Sequence, residues 1–185
     1  MKFESTNVAG AWEIKPTPHE DSRGRFLRAW CVQEFAERAI SFAPVQANMG
    51  FSHTRGTIRG LHYQIAPALE AKLVRCTRGH VFDVVVDLRA DSPTRLQWHG
   101  VELSADNANM LYVPEGCAHG FQALSDNSEI HYMASAFYAP LLSRGVRYDD
   151  PALRISWPMA VSLASEQDRN WPSLDTREPD FRSLT

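Results

Sequence analysis

One imidazole stands inside a strand-like run. In RGTIRGLHYQ (residues 55–64) His62 follows Gly60 and Leu61, with Arg59 just upstream. Histidine ordinarily titrates near neutrality, so it suits the removal of a proton at working pH. Side chains alternate along a strand, which puts Gly60, His62 and Gln64 on one face and Arg59, Leu61 and Tyr63 on the other. A second imidazole, His119, follows a Pro-x-Gly turn in PEGCAHGF (114–121). In HVFDVVVDLR (80–89) one face is Phe82, Val84, Val86 and Leu88, and the other is Val81, Asp83, Val85 and Asp87. Asp83 is then either an edge-strand charge or the partner of a buried histidine or arginine. Tyr132 and Tyr138, in EIHYMASAFYAP (129–140), are six residues apart, an even spacing that puts both on one face of a strand. They are either aromatic core or phenols able to give a proton. Lys72 shares a strand face with Val74 and Cys76. On spacing alone, an isolated strand lysine is expected to be exposed.

The elements that must hold these side chains are short. AWEIKP, GRFLRAWC, PVQANMGFS, GTIRGLHYQ, AKLVRCTRG, HVFDVVVDLR, LQWHGVELS, NMLYVPEG, CAHGFQALS and EIHYMASAFY read as strands or strand-turns, separated by Gly, Pro, Asp and Asn. VQEFAERAI (32–40) reads as a short helix, and SEQDRNWPSL as a helical turn stopped by Pro172. Many short strands at about ten-residue spacing predict an all-β sandwich, jelly roll or barrel. The 185 residues suit one domain over 1–185, or one domain with an extension; a β core at about 45–140, with N-terminal strands and a C-terminal helical segment packing on it, is expected.

Composition removes several classes. A net charge of −3 argues against a nucleic-acid partner. No apolar run approaches the ~18 residues of a membrane span, and the N-terminus lacks the apolar stretch of a signal peptide. A cytoplasmic protein without a membrane partner is expected. Cys31, Cys76 and Cys117 are odd in number and widely spaced, which fits free thiols rather than a disulfide framework or a structural zinc site.

Two patterns narrow the fold. Pro114-x-Gly116-x-x-His119 has the form of the second signature of the cupin jelly rolls. Gly56 and His62 keep the Gly-x5-His spacing that opens the first signature, but Gln64 stands where its second histidine would be. A catalytic metal site usually needs about three good protein ligands. Only His62 and His119 remain, with Glu70 further along and Gln64 a weak neutral ligand, so no bound metal or other cofactor is expected.

Taken together, DSRGRF, QANMGFS, GTIRGLHYQ, AKLVRCTRGHVFDVVVDLRADSPT, LSADN, VPEGCAHGFQALSD, FYAP, DDPALRISWP and SEQDRNWP resemble one family, in order, from about Gly10 to Pro172. It is the dTDP-4-dehydrorhamnose 3,5-epimerase family with its 3-epimerase relatives. The resemblance implies a metal-free, cupin-type double-stranded β-helix (jelly roll) with a few short helices. It also implies a homodimer in which a neighbour's N-terminal strand completes the site. The family's base falls on His62, its dyad aspartate on Asp168, its proton donor on Tyr132 and its lysine on Lys72. Substrate-binding positions fall on Arg23 and Arg59 for the diphosphate, the Gln46 and Asn48 pair, His119, and Tyr138 for stacking. Three positions depart from the family pattern. Arg28 and Ser143 stand where the family commonly has glutamates, and Gln167 where it often has a lysine. These changes touch the nucleotide end and spare the proton-transfer groups.

The implied reaction suits these residue types. Inverting a carbon beside a ketone requires a base, a group that holds the enolate, and an acid on the opposite face. His62 oriented by Asp168, Lys72 with His119, and Tyr132 are expected to fill those roles, with Asp83 supporting His119. The implied substrate is a nucleotide-diphosphate-linked 4-keto-6-deoxyhexose, inverted at C3, C5 or both. The alternatives are a metal-dependent cupin enzyme and a cupin that binds nucleotide sugars without turning them over.

Overall fold

The computed structural model describes residues 1–174. Two antiparallel sheets face each other. The larger has six strands in the order β1 (Lys2–Ser5), β2 (Trp12–Lys15), β10 (Met110–Val113), β7 (Lys72–Arg78), β12 (Ser128–Ala134) and β5 (Gln46–Ser52). The smaller has five: β13 (Ser143–Gly145), β6 (Ile58–Gln64), β11 (Cys117–Ala123), β8 (His80–Asp87) and β9 (Trp98–Ser104). A separate hairpin pairs β3 (His19–Asp21) with β4 (Gly24–Phe26). Only two short helices occur among the described residues, α1 (Val32–Ala36) and α2 (Glu166–Asn170). This is the all-β class expected from the spacing of the strands, and the jelly roll within it that the Pro-x-Gly-x-x-His and Gly-x5-His patterns and the family resemblance pointed to. The short β1, β3 and β13 carry too few apolar residues to be read as strands of their own; pairing with neighbours makes them.

Alternation along β8 sets the layers. Val81 and Val85 point between the sheets, where they meet Val74 and Cys76 of β7, Leu111 and Val113 of β10, Phe121 of β11 and Ile130 of β12. Val84, Val86 and Leu88 point the other way, onto Leu61, Ala118, Val146 and Leu153. Phe35 of α1, with Phe42 and Ile40, covers the outer face of the six-stranded sheet at Ile14, Leu73, Met110 and Tyr112. Both faces of the central strands are therefore dry. That explains why β8 and β11 are buried along nearly their whole length, and why a polar side chain on an inward face needs a partner.

Candidate functional site

The inter-sheet core stops short at one end and leaves a cavity of about 610 Å³. Its walls include His62, Arg59, Lys72, His119, Tyr132 and Asp168. An adjoining lobe of about 340 Å³ shares His62, Lys72, Tyr132 and Gln167 and adds Gln46, Asn48, Glu70, Tyr138 and Ser143.

Strand register brings the imidazoles together. His62 of β6 lies directly opposite His119 of β11. From there to the next paired position β6 advances three residues, to Arg59, while β11 advances two, to Phe121. This bulge turns Arg59 to the same side as His62, which strict alternation forbids. Glycine at two positions allows the close crossing. A Cβ on Gly60, whose φ is +121°, would lie 2.6 Å from the Gly120 Cα, and a Cβ on Gly120 would lie 2.7 Å from the Arg59 carbonyl oxygen. Arg59 is then tethered, its Nε donating to Ser52 Oγ (3.2 Å) and its Nη2 to the Phe51 carbonyl (2.7 Å).

Each imidazole has its own carboxylate. His62 Nε2 is 2.6 Å from Asp168 Oδ1, and His119 Nε2 is 2.9 Å from Asp83 Oδ1. Asp83 is therefore a buried histidine partner rather than an edge-strand charge. Asp168 comes from α2, far along the chain from His62. Ser165 caps that helix, its Oγ accepting from the Asp168 N–H at 3.0 Å. The segment before it docks by main-chain bonds: the Ile58 N–H donates to the Leu163 carbonyl (2.8 Å) and the Ser162 N–H to the Gly56 carbonyl (3.1 Å). Burial pushes the Asp168 carboxyl up, but its bond to His62, the charge of that ring, the Gly60 N–H and Ser165 together outweigh it and hold the group below the usual carboxylate range. A carboxylate in this position fixes the proton on Nε2, leaving Nδ1 as the lone-pair nitrogen of His62.

The opposite wall belongs to the six-stranded sheet. Tyr132 pairs across strands with Val74 and with Asn48. Lys72, two residues before Val74, therefore shares the inward face diagonally with Tyr132. Its Nζ lies 5.9 Å from the centre of the tyrosine ring and 2.9 Å from Glu70 Oε1. Lys72 is only 7% exposed, against the solvated lysine that isolated spacing suggests. The inward face of β7 and its neighbours, not the residue type, decides this. Burial, then the Glu70 and Tyr138 charges, raise the Tyr132 phenol above its ordinary value, so it keeps its proton at neutral pH.

Not every expected residue falls in place as the spacing suggested. β12 ends at Ala134, so Tyr138 does not continue a strand face with Tyr132. It lies in the following loop, exposed, with its N–H donating to Gln46 Oε1 (3.1 Å), while Gln46 Nε2 donates to Asn48 Oδ1 (3.0 Å). Arg23 lies on the β3–β4 hairpin, its side chain 88% exposed and paired with Asp21, and it lines neither lobe. Gln64 has turned structural. It donates to the Ala68 and Phe137 carbonyls (2.9 and 3.2 Å) and accepts from the Ala139 N–H (2.6 Å), which pins the loop that carries Tyr138. Among the described residues, no group of three or more His, Cys, Asp and Glu side chains is disposed to hold a metal ion. Two contributors lie outside the expected set: Glu70, considered only as a metal ligand, and Ser165. Ser165-x-x-Asp168 has capping spacing, a signal legible in the sequence.

The family model described as dTDP-4-dehydrorhamnose 3,5-epimerase matches residues 5–176. The chain belongs to this family. It is thus an isomerase by class, with the cupin-type fold of its relatives. A 3,5-epimerase of this family from Sinorhizobium fredii is 42% identical over 175 residues, covering 94% of this chain and 90% of that one. A dTDP-4-dehydrorhamnose 3-epimerase from Streptomyces niveus is also 42% identical, over 92% of this chain and 82% of its own. The crystal structure of the 3,5-epimerase from Bacillus anthracis, with TDP and PPi bound, superposes with a TM-score of 0.90 at 38% identity, covering 94% of this chain and 99% of that chain. The similarity to the dTDP-4-dehydrorhamnose 3,5-epimerases thus runs across both sheets and both lobes of the cavity.

Proposed function

We propose that this epimerase inverts C3, C5 or both of a 4-keto-6-deoxyhexose linked to a nucleoside diphosphate, with its own side chains moving every proton. His62, held by Asp168, takes the proton beside the ketone. The C4 oxygen then carries the charge of the enolate, and Lys72 with His119 faces it. Tyr132 returns a proton from the opposite wall. Base and acid stand on opposed sheets, and removal from one side with return from the other is what inversion requires. The observation that carries this reading is the 2.6 Å His62–Asp168 contact in a cavity also lined by Tyr132 and Lys72. Arg59 at the mouth suits a diphosphate, and Gln46, Asn48 and Tyr138 in the adjoining lobe suit the remainder of the nucleotide.

The same reading includes a homodimer. Arg23 and Phe26 project from an exposed hairpin, and β5 is an open sheet edge next to the cavity. A hairpin exchanged between copies would carry Arg23 to the partner's diphosphate. The free Cys31, Cys76 and Cys117 fit a reducing, cytoplasmic setting.

Proton NMR in D2O with candidate 4-keto-6-deoxy nucleotide sugars tests the reaction. Deuterium at C3, C5 or both, together with inverted product, is the expected result. Binding without deuterium uptake would leave a non-catalytic cupin and overturn the reading.

A further inference from the structure

Among the described residues, Glu70 is the one carboxylate lining the adjoining lobe, and neither base, acid nor enolate stabilisation uses it directly. It precedes β7 by two residues, so an extended chain puts it on the same face as Lys72. The two side chains are 12% and 8% exposed and 2.9 Å apart, and the ammonium stands 5.9 Å from the Tyr132 ring. Building on the epimerase reading, we infer that Glu70 is a positioning residue: its carboxylate aims the Lys72 ammonium across the Tyr132 ring and sets the charge that the phenol feels.

The physical case has two parts. A buried ammonium on a four-carbon stem has many rotamers and a desolvation cost, and a carboxylate at contact distance restricts that freedom and offsets part of that cost. A negative charge beside a phenol also opposes its ionisation. Burial and the Glu70 carboxylate act together to hold the Tyr132 phenol above its ordinary value. The other titratable and charged groups facing this pair are His62 and Arg59 from β6, His119 from β11, Asp168 from α2, and Tyr138 from the loop after β12. Glu70 is the only one of them in direct contact with the ammonium among the described ion pairs.

Tyrosinate absorbance provides a readout that needs no turnover. The chain has five tyrosines, and subtracting Tyr132→Phe from each background isolates the one of interest. In Glu70→Gln the Tyr132 midpoint is expected to fall by about half a pH unit or more, while Glu70→Asp, which keeps the charge, stays near wild type. With substrate, the alkaline limb of kcat is expected to move the same way in Glu70→Gln, with KM changing less than kcat. Coincident midpoints in wild type and Glu70→Gln, or equal displacement in Glu70→Asp, would overturn the assignment. Absence of deuterium uptake by the wild type would instead fail the epimerase reading, so the two failures are distinguishable.

Discussion

His62 and Tyr132 divide the proposed chemistry because they approach from opposed sheets. Replacing either should therefore fail in a different way. His62→Ala is expected to lower deuterium uptake at both C3 and C5 by ~10²–10⁴-fold, the usual worth of a general base. Substantial residual uptake at either carbon would remove it from that role. Tyr132→Phe keeps the ring packed against the core and deletes only the hydroxyl. It should retain exchange while losing inverted product, and normal inversion by that variant would sink its assignment as acid. Asp168→Asn leaves a side chain of similar shape but takes away the charge that holds the His62 proton on Nε2. A fall of about 10²-fold or more in exchange, with nucleotide binding little changed, is expected.

Among the elements, β6 and β11 matter most, because their glycines let two strands cross closely enough to face His62 with His119. Gly60→Ala meets both a left-handed φ and the Gly120 backbone. Relief of that overlap would separate the strands, and a loss of about 1–3 kcal/mol in chemical denaturation is expected. Exchange should fall with it, since the bulge is what turns Arg59 and His62 to one side. A Gly60→Ala protein with wild-type stability and activity would show that the crossing is not demanding. The helix α2 contributes in a different manner. It is too short to be stable alone, and Ser165 and the main-chain bonds of residues 162 and 163 hold it against β6 so that Asp168 reaches His62.

Across the whole molecule, stability and assembly can be checked apart from the site. Asp87 is fully buried, and its carboxylate accepts from Arg89, Ser92 and Thr94. Burial raises this carboxyl, but those bonds bring it down to about 2 from the ordinary 3.8. A depressed carboxylate stabilises the fold fully above its unfolded value and loses that contribution as pH falls through the folded one. About 2 kcal/mol should therefore disappear between about pH 4 and 2. Asp87→Asn should lack this slope and be less stable at neutral pH; an unchanged acid-unfolding curve would refute the link. For assembly, a mixture of separately inactive His62→Ala and Arg23→Ala chains should regain activity after joint refolding, since one mixed site would hold both native side chains. No recovery, or a monomer in light scattering, would count against the exchanged hairpin. By itself, the order of strand-like runs and turns determined the all-β class, the two layers of β8 and the set of chemically capable residues, because alternation and turn chemistry are local; the two histidine signatures narrowed that class to the jelly roll. The blocks shared with the epimerases carried Asp168 to His62 before any geometry did. Tertiary structure alone decided that Lys72 is buried, that Gln64 is a loop pin, that Glu70 reaches the ammonium, and that Arg59 turns to the side of His62. Each of these depends on contacts between strands remote in sequence, or on a bulge in register, and no period along a single strand encodes them.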